Sequence, residues 1–416
     1  MNVLHTSDWH LGVSADIAPR HEEHERFLTW LIHELCAREI DLLLHAGDTF
    51  HYVQPSARCL QMYYDFLAKC ARDTNVRQIV ITGGNHDSAS RLDAPRSILE
   101  ALNVHVVGAM SANPKTWEDA IIPVVGSSGH VECVVVAVPY IHESRLGVSA
   151  TGRTPREIRD DLVLRFTELY AMLADQAKQL HPDVPLLGMG HLTCYPDGRG
   201  QIDGDFGTPL HMAELGSLPP TIFGLEYSYV ALGHIHRMFE IPGPNAWYPG
   251  SPVPTDIIEA RTPRHVLGVT VDPAKPDAQA PVTKIEVPLW RRSIELAGTL
   301  EQVTDELAKI EWVEELHPYL YVEVHVEQPL HNGVRAIEEL LDTIEEQRRP
   351  RLVKYKETMV GQDGAEVRAD PFDDAPLSEL DPVDVFTKLY TLKHEAAPTE
   401  EILAAFHSLL GPKADA

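Results

Sequence analysis

Five short motifs carry side chains able to hold a metal ion or move a proton. They are Asp8-Trp9-His10 within TSDWHLG, Gly47-Asp48-Thr49-Phe50-His51, Gly84-Asn85-His86-Asp87, Gly190-His191, and Gly233-His234-Ile235-His236. Each follows a short apolar run, and the glycines let the backbone turn sharply or let a ligand come close. Taken singly, each has a plain reading: Asp and Gly make turns, and a strand-end histidine is usually satisfied by hydrogen bonds. Taken together they repeat one arrangement, a carboxylate, amide or imidazole just past a strand, and the repetition points to metal binding. Asn-His-Asp is a costly set at a strand end unless those residues ligate or catalyse. His234 and His236 fall on one side of an extended chain, a common disposition for metal ligands.

The donors are carboxylate, amide and imidazole with no thiolate, which suits manganese, iron or a borderline divalent ion. Asp8, His10, Asp48, Asn85, His191, His234 and His236 are too many for one ion. Two ions roughly 3.5–4 Å apart, sharing one carboxylate, would use them all and would clamp both the attacking and the leaving oxygen of a phosphate displacement.

The elements that must position these motifs are strands and connecting helices. Val3-Leu4-His5, Ile40 to His45 and Ile79 to Thr82 read as buried strands. Phe27, Leu28, Leu31, Ile32 and Leu35, and then Leu60, Tyr63, Tyr64 and Leu67, recur at helical spacing. Further apolar runs at Val134 to Val138, Leu186 to Met189 and Tyr229 to Leu232 extend the pattern to about residue 255, and 143–156 and 195–219 read as loops. The fold class is α/β, a sandwich of mixed sheets flanked by helices. After a Pro-rich break at Asp272 to Pro281 the pattern restarts. Ile285-Glu286-Val287, a helix over Leu300 to Val313, a strand at Tyr319 to Val326 and a helix over Val334 to Gln347 suggest a small separate α+β domain. The segment 361–381 is acidic and Pro-containing, a linker leading to amphipathic helices near 382–393 and 399–410. The expected divisions are thus 1–280, 281–360, 361–381 and 382–416.

A chain of 416 residues, 44% hydrophobic and 23% charged, is globular material. The five cysteines are scattered with no C-x-x-C pair, against a disulfide framework or a zinc ribbon. No apolar run reaches the roughly 20 residues of a membrane helix and no secretion signal is evident, so a cytoplasmic protein is expected, with no membrane partner. The net charge of −27 runs against nucleic-acid binding as a bulk property. Carboxylates that hold divalent cations do not repel phosphate as free ones do, so local charge at the site outweighs the sum.

In order and spacing, TSDWHLG, AGDTFH, TGGNHDS, GHLT and YVALGHIH resemble the calcineurin-like metallophosphoesterases, and within them the SbcD family of nuclease subunits. The resemblance covers nearly the whole chain. It implies that Asp8, His10 and His236 hold one ion, that Asn85, His191 and His234 hold a second, and that Asp48 bridges both. It also implies that His86 protonates the leaving oxygen, that His51 orients the phosphate, and that the metal is Mn²⁺. The implied partners are DNA and an SMC-like ATPase, SbcC, in a two-plus-two assembly containing a homodimer of this chain. The implied activity is endo- and exonucleolytic processing of double-strand ends and hairpins, with ATP used by the partner. The small domain resembles the family's DNA-capping domain. DNA contacts are expected from Arg20, Arg58, Arg91, Arg348 and Lys354. The ATPase would dock on Val385, Phe386, Leu389, Tyr390, Ile402, Leu403 and Phe406, residues that could equally pack on their own chain.

Two other readings use the same residues. A phosphatase or small-molecule phosphodiesterase could stand on this scaffold, but the superfamily's protein phosphatases carry an Arg soon after the GD motif, where this chain has His51-Tyr52-Val53. A non-catalytic scaffold protein fits poorly with a complete set of ligands.

Overall fold

A computed structural model of the chain describes residues 1–15, 18–111, 114–148, 152–195, 217–310, 315–328, 330, 332–346 and 349–360, together with 383, 386–387, 390, 398–399, 402–403 and 406. The chain divides into two compact units, the first made of 1–295, 311–321 and 341–354, the second of 296–310, 322–340 and 355–416.

In the first unit the order begins β1 (Asn2–Thr6), a ribbon of β2 (Ser14–Ala15) and β3 (Ala18–Pro19), α1 (His21–Ala37), β4 (Leu42–Ala46), α2 (Ala57–Asp73) and β5 (Gln78–Thr82). Short helices α3 (Ala89–Asp93) and α4 (Arg96–Glu100) lead to β6 (Val104–Val107), β7 (Ile121–Val125) and β8 (Val131–Ala137). There follow α5 (Pro155–Leu180), β9 (Leu186–His191), β10 (Tyr227–Gly233), β11 (Phe239–Ile241), β12 (Ala246–Tyr248), β13 (Arg264–Thr270) and β14 (Val282–Val287). Two six-stranded sheets result, ordered β14-β13-β1-β4-β5-β6 and β11-β12-β10-β9-β8-β7. Their central strands run parallel, and β13, β14, β7 and β11 pair antiparallel at or near the edges.

The central strands of each sheet are buried on both faces, which is why they read as unbroken apolar runs instead of alternating ones. Val3, Leu42, Leu44 and Val80 meet Val135, Leu187, Met189 and Tyr229 in the core between the sheets. Leu4, Leu43 and Ile79 point the other way, onto Phe27, Leu31 and Leu35 of α1 and Phe66 and Leu67 of α2. On the outer face of the second sheet lies α5, a helix of 26 residues not anticipated from the sequence. Its start is built from a Thr154–Glu157 capping box with Pro155 in the first turn. Its buried Ile158, Leu162, Phe166, Leu169, Tyr170 and Leu173 follow helical spacing.

The strand read as opening the small domain, Ile285-Glu286-Val287, belongs to β14 (Val282–Val287), the outer strand of the first sheet, paired with β13 from Val282↔Val269 to Val287↔Arg264. The Pro-rich stretch before it is the connection of an antiparallel pair. The strands β15 (Ser293–Gly298), β16 (Tyr319–Val326) and β17 (Arg351–Met359) form a third sheet, and the unit boundary falls within each of them. With α6 (Leu300–Lys309) and α7 (Gly333–Asp342) this gives a βαβαβ order. In the second unit Val303 and Leu307 of α6, Ile337 of α7 and Val322, Val324 and Val326 of β16 are buried. No helix among the described residues is long and apolar enough to cross a membrane.

Three histidines sit inside the first unit, each with burial holding its pKa down at about 3: His5, His24 and His45. One ring nitrogen of each has a partner, at Tyr229 Oη (2.7 Å), Trp9 O (2.8 Å) and Thr49 Oγ1 (3.0 Å) respectively. The unfolded chain takes up protons at these groups near the ordinary 6.5, whereas the folded one excludes them until about 3. Stability is therefore full above that ordinary value and falls as pH drops below it, by up to about 1.4 kcal/mol per pH unit for each imidazole. Urea unfolding at pH 7 and pH 5 should give a clearly lower midpoint at pH 5 with an unchanged slope. Equal midpoints would rule this out.

Candidate metal centre

The donor residues follow the C-terminal ends of β1, β4 and β5 in the first sheet and lie at the ends of β9 and β10 in the second, where open α/β sheets place ligands. The first two loops are laced together, since Asp8 N donates to Gly47 O and His10 N to Asp48 O, both at 3.0 Å. Asp8, His10, Asp48 and His234 all adopt left-handed backbone, with φ of 52°, 46°, 53° and 99°. For residues with a Cβ this costs on the order of 1–3 kcal/mol each, and such strain gathers where a site demands it. Glycines make the close approach possible. A Cβ on Gly84 would lie 2.1 Å from Asp48 Oδ1, and one on Gly47, at φ 89°, 2.2 Å from His191 Nδ1. Gly84→Ala should therefore displace Asp48 and lower turnover of a phosphodiester by about 10²-fold, the cost of roughly a 1 Å misplacement. An unchanged rate in a folded variant would contradict this placement.

All seven sequence-derived donors come together. His10 Nε2 lies 2.9 Å from His236 Nε2 and 3.5 Å from Asp48 Oδ2. Asp48 Oδ2 is also 3.3 Å from His191 Nε2. Asn85 Oδ1 sits between His191 Nε2 at 3.0 Å and His234 Nδ1 at 2.9 Å. Asp8 Oδ1 accepts from His234 N at 2.9 Å, and its Oδ2 accepts from Ser7 Oγ. Asp8, His10 and His236 form one compact trio of donor atoms, and Asp8, Asp48 and His191 another. The two histidines expected to act on phosphate are here as well. His86 N donates to Asp48 Oδ1 at 2.8 Å, while His86 Nδ1 is 2.9 Å from His51 O. His51 Nδ1 lies 3.2 Å from His10 Nδ1.

The chemistry of this set fits divalent cations. Burial lowers the pKa of His10 well below its ordinary value and that of His234 to about 3, so both are neutral imidazoles, the form a metal ligand needs. Burial also opposes charge on His191, but Asp48 outweighs it and holds that histidine up at about 9. Burial resists charge on Asp48 too, yet His191 and the other surrounding imidazoles bring its carboxyl well below the usual range. Two carboxylates, one amide oxygen and four imidazoles converging without a thiolate are a donor set for hard or borderline divalent ions.

Several residues that position the site have no role assigned to them from the sequence. Asp87 stands in the GNHD motif without an assigned role. Its carboxylate accepts from Thr49 N, Phe50 N and Gly84 N at 3.0, 2.9 and 3.0 Å, tying the β4–α2 loop to the β5–α3 loop. Burial, then the nearby Asp48, pushes its pKa up to about 6. Glu259, in the loop before β13, bonds to His236 Nδ1 at 2.6 Å. Ser251, legible only as a turn residue, donates to Glu259 at 2.8 Å and accepts from Arg264 at 2.9 Å.

The expected DNA contacts fare unevenly. Arg20 is 1% exposed, bonded to Glu23 at 3.1 Å and stacked over Tyr319 at 4.7 Å. It is a core residue and is not presented to a phosphate backbone, which corrects the expectation. Arg58 is exposed and paired with Glu25 at 2.7 Å, and Arg91 and Lys354 are exposed. Arg348 lies outside the described residues, as do Val385 and Leu389 of the expected docking face. Of the remainder, Phe386 stacks on Phe406 at 4.1 Å between ring centres and meets Tyr390 at 5.8 Å. These aromatic rings, like Ile402 and Leu403, are only partly buried.

Residues 1–238 match the sequence model of the calcineurin-like phosphoesterases. The chain is 30% identical over 357 residues to the SbcD subunit of the SbcCD nuclease of Rhodobacter capsulatus, covering 83% of this chain and 85% of that one. It is 29% identical over 352 residues to the protein of the same name from Escherichia coli K12, covering 83% of each. The SbcD subunit from Bacillus subtilis 168 is 29% identical over 283 residues, covering 67% of this chain and 68% of its own.

Proposed function

Because the chain belongs to the calcineurin-like phosphoesterases and, among them, to the SbcD subunits of SbcCD nucleases, we propose that it is a Mn²⁺-dependent DNA endo- and exonuclease working with an SMC-like ATPase, SbcC. The observation that carries this reading is the convergence of seven donors, from Asp8 to His236, around the Asp48 carboxylate. In this reading Asp8, His10 and His236 would hold one ion, Asn85, His191 and His234 the other, and Asp48 both. When bound, such cations supply positive charge to the phosphodiester and make water acidic enough to attack at neutral pH.

The remaining work falls to the chain itself. The backbone of His86 is pinned to Asp48 and its Nδ1 to His51 O, so Nε2 is the atom left to give a proton to the leaving oxygen. The His51 ring stacks on that of His86 with centres 5.2 Å apart, which places it to orient the phosphate. The small α+β domain would cap DNA. The C-terminal aromatic cluster would dock on the ATPase in a two-plus-two assembly, with two copies of this chain, that trims double-strand ends and hairpins in the cytoplasm. The relatives are named as one subunit of a nuclease complex, SbcCD, which supports the partner.

Purified protein with Mn²⁺ should hydrolyse both single-stranded DNA and bis-p-nitrophenyl phosphate. Hydrolysis of the small ester alone would favour a small-molecule phosphodiesterase, and silence on both would overturn the enzyme reading.

A further inference from the structure

The second ring nitrogen of His236 is partnered by a carboxylate. While its Nε2 faces His10 Nε2 at 2.9 Å, its Nδ1 lies 2.6 Å from Glu259 Oε1. The carboxylate of Glu259 has little freedom to turn. Oε1 also accepts from Thr255 Oγ1 at 2.7 Å, and Oε2 accepts from Ser251 Oγ and from Thr255 N, each at 2.8 Å. The backbone on either side is fixed by one buried arginine. Arg264 donates to Ser251 O at 2.8 Å, to Glu259 O at 3.0 Å and to His236 O, and its guanidinium lies 3.9 Å from Glu259 Oε2. A buried carboxylate is unfavourable unless it is paired and hydrogen-bonded, and here both oxygens of Glu259 are hydrogen-bonded.

We propose that Glu259 is a positioning residue for one ion of the divalent metal centre, holding His236 as the tautomer protonated on Nδ1 with its Nε2 lone pair directed at the position shared with Asp8 and His10. An imidazole whose second nitrogen donates to a carboxylate is fixed in orientation and is a more basic ligand, and loss of such a partner typically lowers metal affinity 10–100-fold. The effect is confined to one ion, because the Asn85–His191–His234 cluster has no bond to Glu259 among those that fix it. The inference rests on the metal reading proposed above.

The test is Mn²⁺ titration of the full chain by calorimetry, with electron paramagnetic resonance to distinguish a spin-coupled pair from isolated ions. Wild-type protein should bind two Mn²⁺ and show the coupled pair. Glu259→Gln keeps the size and one acceptor while removing the charge, and should weaken one of the two ions by about 10-fold. Glu259→Ala should weaken it by about 100-fold, so that at intermediate Mn²⁺ the coupled signal gives way to a mononuclear one. Excess Mn²⁺ should restore it. Both variants binding two ions with wild-type affinity would overturn the proposal, whatever happens to their metal-free melting temperature, since that pattern means Glu259 only ties down its loop. Should Glu259→Ala fail to fold, Glu259→Gln alone decides the matter. Wild-type protein that binds no Mn²⁺ would overturn the metal reading first, and the two failures are therefore distinct.

Discussion

Asp48→Ala is expected to lose the paired metal centre and to cut phosphodiester turnover by about 10³-fold or more. Asp48 touches both halves of the donor set, 3.5 Å from His10 Nε2 and 3.3 Å from His191 Nε2, and it also receives the backbone N–H of His86 at 2.8 Å. Its removal takes a negative charge from among imidazoles and frees the loop carrying His86. Metal-supplied charge stabilisation is worth several kcal/mol, and about 1.4 kcal/mol corresponds to a factor of ten in rate, which sets the magnitude. Asp48→Asn, nearly the same shape, should lose most of this as well. Mn²⁺ titration and bis-p-nitrophenyl phosphate kinetics on the same preparations check both statements. Two bound ions in Asp48→Ala, or turnover within tenfold of wild type, would show that this carboxylate is not shared.

His86→Ala should behave differently, keeping both ions while losing turnover by about 10²–10⁴-fold, the usual contribution of a general acid. Its ring is not among the seven donors, and it reaches the centre through backbone and Nδ1 contacts that leave Nε2 for substrate. The loss should be largest for substrates with a poor leaving group, such as DNA, and smaller for an ester releasing p-nitrophenolate, which departs without a proton. Normal DNA cleavage by a folded His86→Ala protein would remove the acid role, and a matching loss of Mn²⁺ would recast the residue as a ligand.

The donors were legible in the sequence because each follows a strand buried on both faces, and such strands stand out as apolar runs ending abruptly in Gly, Asp, Asn or His. The two-sheet core is legible for the same reason. What escaped depends on chain reversals that leave no local mark. Glu259 lies 23 residues beyond His236, and nothing in the run TDIIEAR distinguishes it from a solvated acid. The strand Ile285-Glu286-Val287 looked like a new beginning because prolines precede it, whereas pairing with β13 makes it part of the first sheet. Arg20 looked like a basic residue beside the site, but its guanidinium is covered by Tyr319. The helix α5 was readable in principle, from Thr154-Pro155 and the spacing of Ile158, Leu162 and Phe166. Its many charged residues lie on the opposite face and dilute the apolar signal.

The placement of β13 against β1, with Asn2 opposite Thr270 and His5 opposite Leu267, bears on how the protein comes into being. During synthesis β1 gains one neighbour early, from β4, but its other edge stays open until residues 264–270 emerge. At a synthesis rate of about 5–20 residues per second that is a wait of roughly tens of seconds. His234 and His236 arrive just ahead of the closing strand, so the donor set proposed for the metals stays incomplete in a nascent chain until residue 236 has been translated.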